Sequence, residues 1–430
     1  MPDTNPLRLG IAGLGTVGVG VVKIVRKHAK LLEARAGRPI EIIAVSARSR
    51  DKDRGVDIAR YDWEDDPVAM ARRDDIDVLV ELMGGSDGPA KAAVEAAIAS
   101  GKHVVTANKA LLAHHGQDLA AAAEKAGTVL RFEAAVAGGI PVIKALTEGL
   151  AGNEITKVMG VMNGTCNYIL TRMEATHQGY NALFEEAHKL GFLEADPQLD
   201  VGGIDAGHKL SLLASIAFGT QVNFDAVELE GIEQISLRDI EEAAEMGYRI
   251  KLLGVAQMTG RGLEQRMSPC LVPAASPLGQ LEGGTNMVVI EGDSVGQIVM
   301  RGAGAGEGPT ASAVMGDVVD LARGLDISTF GMPASRLVPA KPATAAVPAA
   351  YYLRMELEDK PGALAKVAAA LGEAGVSIDR MRQHGHQNTV APVIVVTHRC
   401  SRAQIDAAME GLAKTPVVKG ETVAIRIEEV

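Results

Sequence analysis

Asp205 and Lys209 stand four residues apart at the entrance to a strongly apolar segment, so a helix there would put both on one face. They close a Gly- and Pro-constrained stretch, 191–209, that also carries Glu194, Asp196 and Asp200. On spacing alone the pair is also what a surface salt bridge looks like, worth about a few tenths of a kcal/mol. The segment that follows, 210–217, is apolar nearly all round, and a lysine at the mouth of a buried helix needs a partner or a purpose. Reduction of a carbonyl group requires a proton donor beside its oxygen, and a partly desolvated lysine can serve. A second polar concentration, Thr106-Ala107-Asn108-Lys109, falls at the carboxyl end of an expected strand, the edge at which open α/β sheets hold ligands.

A third group points to a nucleotide. Gly13-Leu14-Gly15-Thr16-Val17-Gly18 follows one apolar run and opens a helical one. In that setting the first glycine permits a tight turn, the second lets backbone approach a pyrophosphate, and the third allows close helix–strand packing. NAD-preferring sites place an acid at the end of the second strand; here stands Val45-Ser46-Ala47-Arg48-Ser49-Arg50, with no carboxylate. Arg48 and Arg50 would suit a 2′-phosphate, or are solvated loop charges. The expectation is NADP, with NAD left open. Their distance from the glycines is longer than the usual ~20 residues, which puts the position of strand two in question.

The elements that must position these groups follow from periodicity. In the first third, apolar runs at 7–12, 40–46, 76–82, 103–106 and 129–132 read as strands, with helices at 17–30, 90–100 and 117–126 between them. Continuous apolar strands alternating with helices give a doubly wound parallel sheet of Rossmann type, assigned to 1–135. Residues 136–304 read as an α+β substrate and dimerisation domain, with helices at 141–150, 180–190 and 205–218 and strands at 251–257, 286–291 and 297–301. A helix within 305–330 is expected to pack back on the first domain. Residues 338–350, VPAKPATAAVPAA, read as an extended, semi-rigid linker. A βαββαβ pattern over 351–430 then makes a small α/β sandwich of its own.

Taken together these segments resemble the homoserine dehydrogenase family over residues 1 to about 330. The stretch 187–209 resembles its signature, with Asp196-Pro197, Asp200 and the Gly203-Ile204-Asp205…Lys209 ending in place. Met83-Gly84-Gly85, 106–109, Asn163-Gly164-Thr165, 167–170, 302–306 and Pro309-Thr310 look like other family segments. The resemblance implies NAD(P)H-dependent interconversion of aspartate 4-semialdehyde and homoserine. It implies Lys209 as proton donor, Lys109 as a second lysine at the nicotinamide and substrate, and Asp205 orienting Lys209. It further implies Glu194, Asp200, Gly164 and Thr165 at the substrate. Cofactor contacts would come from Gly13, Gly15, Thr16, Val17, Gly18, Gly84, Thr106, Lys109 and Gly306. A structural Na⁺ or other monovalent cation would lie at Glu133, Val136, Gly138 and Ile140, mostly on main-chain carbonyls, oxygen ligands that suit a hard cation.

The tail resembles the ACT domain in Asp359-Lys360-Pro361-Gly362-Ala363-Leu364 and Gly375-Val376-Ser377-Ile378. By position Asp359, Gly362, Ala363 and Val376 would line an amino-acid effector site; the domain is also used for assembly alone. Threonine is the effector expected, because homoserine lies on the route to it. On this reading a chain cut after Val338 keeps activity and loses regulation.

Two other functions compete. A sensor that binds nucleotide and amino acid without turnover would have no reason to keep Lys109, Glu194, Asp205 and Lys209 together. An aspartate-semialdehyde dehydrogenase would use Cys166 as nucleophile, with a base such as His177 or His208 brought close in space. Composition narrows the partners. A net charge of −11 argues against nucleic acid and anionic membranes. The three cysteines, Cys166, Cys270 and Cys400, show no paired spacing. With no signal peptide and no long apolar run, the expectation is a cytoplasmic homodimer or homotetramer acting on a small-molecule substrate.

Overall fold

The computed structural model describes residues 5–193, 196–383 and 390–430. The first domain is a six-stranded, all-parallel sheet: β1 (Leu7–Ala12), β2 (Ile40–Ser46), β3 (Asp62–Trp63), β4 (Val78–Glu81), β5 (His103–Thr106) and β6 (Leu130–Arg131). Its order is β3-β2-β1-β4-β5-β6, which puts the topological switch between β1 and β4. Alternate residues feed two cores. Leu9, Ile11, Val78, Val80 and Val105 face α1 (Thr16–Lys27) and α2 (Ala29–Ala36). Leu79 and Val104 face α3 (Pro67–Ala71), α4 (Pro89–Ala99) and α5 (Lys109–Ala126). The sheet is thus covered on both sides, as its continuous apolar strands require.

Strand two lies where the apolar pattern placed it. The long spacing to Arg48 arises because helix 17–30 is really two helices, with α2 added after a break at His28. Helix α5 begins eight residues before the expected 117, because Asn108 caps it by accepting the Leu111 N–H at 3.1 Å.

The second domain holds α6 (Val142–Lys144), β7 (Ile155–Val161), α7 (Gly164–Thr176), α8 (Tyr180–Lys189), α9 (Pro197–Val201), α10 (Ile204–Phe218), β8 (Glu228–Leu229), α11 (Leu237–Glu245), β9 (Tyr248–Thr259), β10 (Gly262–Pro273), β11 (Thr285–Gly292) and β12 (Gly296–Ala303). The chain then returns through α12 (Glu307–Ala322) to the first domain, as expected. A Cβ on Gly20 of α1 would lie 2.8 Å from the Glu307 carbonyl oxygen, so only glycine admits this helix crossing. Lys23 and Glu307 close the same crossing at 2.8 Å.

The last domain is β13 (Ala350–Glu358), α13 (Ala363–Glu373), β14 (Ile378–Gln383), β15 (Val390–Thr397), α14 (Arg402–Ala413) and β16 (Val418–Ile427), the βαββαβ order read from the sequence. Tyr351, Leu353 and Met355 face α13 and α14, while Tyr352, Ile394, Val396 and Ile425 turn the other way into the second domain's core. The two sheets are one: β16 pairs in parallel with β10, giving the order β12-β11-β7-β9-β10-β16-β13-β15-β14 with β8 beside β10. Tyr352 and Arg354 both reach Asp239 on α11, at 3.1 and 2.6 Å.

The segment 338–350 is extended, but it is no free spacer. Val338 bridges to Thr220, and Leu263 exchanges bonds with Lys341 and Ala343 at 2.8 and 2.9 Å. The Val347 N–H donates to Glu264 at 2.9 Å. Pro and Ala content predicts the conformation but carries no information on what lies alongside.

The seam between the last two domains is fastened by buried charge. Glu428 accepts from Lys157 at 2.9 Å, from Arg426 at 3.1 Å and from Arg266, which also holds Glu264 at 3.0 Å. Burial pushes the Glu428 carboxyl up, and Arg266, Lys157 and Arg426 outweigh it, holding it down at about 2. A cut after Val338 would therefore remove a strand from β10 and the buried counterion of Lys157, leaving Arg266 with Glu264 alone, whereas the sequence reading expects a clean excision. Glu428→Gln in the full chain should cost about 3–5 kcal/mol, the scale of breaking a buried ion pair on one side, read as a lower urea midpoint. Because the folded carboxyl lies below its ordinary value, this stability is complete above about pH 4.5 and is lost as pH falls toward about 2. An unchanged midpoint would show that the sheet alone holds the module.

Candidate active site

A cleft of about 590 Å³ opens at the carboxyl ends of β4 and β5, between the first and second domains. Val17, Gly84 and Lys109 line it from the first domain; Gly164, Thr165, Asp200, Asp205 and Lys209 line it from the second, with Gly306 from the turn into α12. The sequence-predicted substrate and catalytic residues within the described chain therefore meet in one place. Glu194 lies outside the described residues.

At its centre one carboxylate holds two ammonium groups. Asp205 meets Lys209 at 2.7 Å and Lys109 at 2.9 Å. Helix α10 is buried from Asp205 through Ile216, so the i,i+4 pair sits in the interior and not on the surface. Burial pushes the Asp205 carboxyl up, but Lys209 and Lys109 overcome it and hold it well below the ordinary carboxylate range. Lys209 Nζ also donates to the Met162 carbonyl at 2.8 Å. Of its three N–H groups, one has no partner among the described residues.

Asn163 connects this group to Asp200. It caps α7 through Oδ1, accepting the Cys166 N–H at 2.8 Å, and its Nδ2 donates to Asp200 at 2.9 Å and Asp205 at 3.4 Å. Thr165 donates to the Phe192 carbonyl at 2.9 Å and so ties α7 to the acidic stretch. A Cβ on Gly164 would fall 2.6 Å from the Gly284 oxygen, so its absence lets that loop close over α7.

The nucleotide loop is built as its glycines require. A Cβ on Gly18 would lie 2.0 Å from the Gly13 oxygen, and Gly13 itself has φ +108 against the Leu82 carbonyl. Around Gly15 there is open space within 4 Å, at the uncapped N-terminus of the 12-residue α1, where Thr16 is exposed. Gly13 donates to the Ser46 carbonyl at 2.9 Å, which brings the loop bearing Arg48 and Arg50 alongside. Both arginines are exposed. Sequence reasoning missed Arg54, which fastens this loop through Leu14, Ser49 and Lys52 carbonyls at 3.2, 2.5 and 2.8 Å.

Thr106, implied as a cofactor contact, has its side chain turned inward. It is fully buried beneath the cleft, donating to Glu81 at 2.6 Å and accepting the Asn108 N–H at 3.0 Å. Glu81 in turn accepts from Met83 and Gly84 at 2.7 and 3.2 Å, and Asn108 donates to the Gly85 carbonyl at 2.7 Å. This buried network shapes the 83–85 loop. Glu81 was not picked out from sequence, and Asn163 was read only as part of the Asn163-Gly164-Thr165 family segment, without a role; the signal available for Glu81 was a lone carboxylate ending an apolar strand. Asn286 is a further omission. It lines the cleft, is almost fully buried, donates to Met162 O at 3.2 Å, and leaves Oδ1 without a partner among the described residues.

Cys166 is not an activated nucleophile. It is fully buried, its Sγ lies 3.3 Å from the Asp200 carbonyl, and burial with Asp200 and Asp205 pushes the thiol well up. His177 is exposed and pairs with Glu241 at 3.1 Å. His208 packs on Phe224 with ring centres 4.2 Å apart, and burial beside His114 lowers it to about 4, so it is neutral near pH 7.

At the hinge, Glu133 is buried and its two carboxylate oxygens accept from Ile143 and Lys144 at 3.0 and 2.8 Å. Burial and then Asp317 raise it to about 7. Val136 and Ile140 are also buried, and Ala137 and Gly138 both have positive φ, 55 and 54. In the last domain Gly362, at φ +84, caps α13; Ala363 and Val376 are buried, and Asp359 is exposed in the preceding turn. The Ala363 N–H is taken by the Lys360 carbonyl at 3.2 Å.

Comparison with known proteins matches this division. The NAD-binding domain of homoserine dehydrogenase matches residues 13–133, its catalytic region matches 141–319, and the ACT domain matches 351–416. The chain is 42% identical over 432 residues to homoserine dehydrogenase of Neisseria gonorrhoeae, covering 99% of each. This chain belongs to the homoserine dehydrogenase family. It is therefore an oxidoreductase with a nicotinamide-dinucleotide domain. A crystal structure of the Thiobacillus denitrificans homoserine dehydrogenase superposes with TM-score 0.94 at 39% identity over the whole of both chains. A hyperthermophilic archaeal homoserine dehydrogenase in complex with NADPH is 25% identical with TM-score 0.63, covering 75% of this chain and 99% of that one.

Proposed function

We propose that this chain catalyses the reversible NADPH-dependent reduction of L-aspartate 4-semialdehyde to L-homoserine. The observation that carries the proposal is the Lys109–Asp205–Lys209 triad, assembled from two domains at the head of a nucleotide fold. Lys209, aimed by Asp205 and Met162 O, gives its remaining proton to the aldehyde oxygen. Lys109 adds a second positive charge where negative charge develops. Glu194 and Asp200 take the substrate ammonium, with Gly164 and Thr165 shaping that end. The sequence reading of a non-catalytic sensor has no use for such a triad.

The cleft fits the dinucleotide: open space at Gly15 for a pyrophosphate, and an orphan Asn286 Oδ1 to accept an amide N–H. Gly13, Gly15, Thr16, Val17, Gly18, Gly84 and Gly306 would hold the cofactor, with Lys109 beside it. When bound, its nicotinamide supplies the hydride. Arg48 and Arg50 would meet a 2′-phosphate, in keeping with the NADPH named for the archaeal relative.

The hinge donors also fit a monovalent cation. The Glu133 carboxylate is already used, so the carbonyls of Val136, Gly138 and Ile140 and that of Glu133 would hold it. The positive φ at the non-glycine Ala137 is the kind of backbone strain found at ligand clamps. Its role would be structural. We further propose assembly as a homodimer or homotetramer, and feedback by threonine at Asp359, Gly362, Ala363 and Val376.

Purified protein should oxidise NADPH only when aspartate semialdehyde is present. Lys209→Ala should cut kcat by about 10²–10⁴ with dinucleotide affinity nearly unchanged; wild-type turnover would remove Lys209 from the mechanism. Arg48→Ala with Arg50→Ala should raise KM for NADPH far more than for NADH; an equal rise would mean that neither arginine meets the 2′-phosphate. Millimolar threonine should inhibit, with a coupling that changes apparent affinity about 5–150-fold. Gly362→Asp should relieve the inhibition; a Cβ there meets nothing within 4 Å but is strained at φ +84, so circular dichroism and the urea midpoint of the variant are checked alongside. Indifference of the full chain to threonine would leave the module an assembly element.

A further inference from the structure

A second cavity, of about 300 Å³, lies on the seam between the second and last domains. It is close to the smallest size usual for small-molecule sites. Its two walls differ in charge, apart from Arg266 of β10, which lines the cavity from the second domain with its guanidinium already held by Glu264 and Glu428. The second domain presents Glu228 and Glu230, on and just after β8; the last domain presents Arg402 at the start of α14 and Arg426 on β16, with Tyr351 of β13 between them. Glu228 and Glu230 make no side-chain hydrogen bond or ion pair among the described residues. Arg402 is held by Asp406 at 2.8 Å and Arg426 by Glu428 at 3.1 Å, each on its own side of the gap. The walls sense one another all the same: burial raises the Glu230 carboxyl and Arg402 opposes that shift.

With Arg266 committed to Glu264 and Glu428, the charges facing each other across the cavity are Arg402 and Arg426 on one wall and Glu228 and Glu230 on the other, complementary to a small molecule carrying both charges. We propose that this cavity binds a free α-amino acid as its zwitterion, the carboxylate on Arg402 and Arg426 and the ammonium on Glu228 and Glu230. The site is separate from the loop at Gly362. That loop follows the far end of β13, and the seven residue steps from Tyr351 to Glu358 span about 23 Å at the usual strand rise.

The position gives such a ligand a route to the active site. β8 is paired with β10 through Glu228 and Arg266, and the Glu230 N–H donates to the Met267 carbonyl at 2.8 Å. Two residues on, the Ile232 N–H donates to the Val201 carbonyl at 3.0 Å. Val201 adjoins Asp200 on α9, whose carboxylate accepts from Asn163. A zwitterion bridging the seam would therefore restrain the segment on which α9 rests.

The inference leans on the effector reading only for its choice of probes. Calorimetric titration of the full chain with L-threonine, L-isoleucine and L-methionine at millimolar concentration should find binding by at least one. N-acetylation or amidation of that amino acid should each weaken binding at least tenfold. Glu230→Gln, which breaks no ion pair of the fold, should weaken it at least tenfold, as should Arg402→Met. One site per chain should survive Gly362→Asp. The proposal is overturned if none of the three binds, or if affinity is indifferent to both Glu230→Gln and Arg402→Met. Loss of all binding in Gly362→Asp alone would likewise overturn it and assign the ligand to the loop. Because the readout is heat of binding, failure of the proposed reductase activity would leave the result interpretable.

Discussion

A carboxylate taken out of water is tolerated only where fixed positive charge replaces the lost hydration. Asp205 meets that condition with one lysine from its own helix and one from another domain. Lys209 is fixed by the i,i+4 geometry of α10 and is present whenever that helix folds. Lys109 arrives only when the nucleotide sheet is docked, because it is the first residue of α5. The ionic group is therefore a register mark between domains. The return of α12 to the first domain, over Gly20 and the Lys23–Glu307 pair, keeps the mark in place.

The same device recurs at the other joint. Glu428 is the counterion for Lys157, Arg266 and Arg426, which come from three strands of the merged sheet. The register between β10 and β16 involves only two paired residues on each side, too few hydrogen bonds to fix one alignment. Buried charge supplies the specificity the short ladder lacks, since a slip by one residue would turn Glu428 away from its cations. Both joints thus trade some desolvation energy for a single geometry.

What the sequence disclosed follows from how local each signal is. The strand–Gly loop–helix start, the Asp205–Lys209 spacing and the βαββαβ tail depend on neighbours within a few residues, and all appear as read. Asn163, Glu81 and Asn286 are single polar residues among apolar ones. Their roles exist only once Asp200, Thr106 and Met162 are brought beside them, so no spacing rule finds them. The direction of the Thr106 side chain is a case in point: a hydroxyl at a strand end can face a ligand or a buried acid, and Glu81, 25 residues away, turns it inward. The attachment of the 338–350 segment was out of reach for a related reason. Its partners at Thr220 and Leu263 are distant in sequence, and an extended peptide pinned along a sheet has the same composition as a free one.

Local rules are broken around the cleft. Lys109 puts a cation in the first turn of α5, where the helix dipole disfavours it. Gly15 leaves the N-terminus of α1 without a side-chain cap, in a position where serine or aspartate would stabilise the helix. Either change that local stability favours would harm the site: a carboxylate at the start of α1 would repel a pyrophosphate, and a neutral residue at 109 would leave Asp205 with one counterion. The rest of the first domain accepts these losses because its sheet is buried on both faces by apolar side chains. The stability that permits an uncapped helix and a misplaced charge is thus supplied by layers that take no part in the reaction.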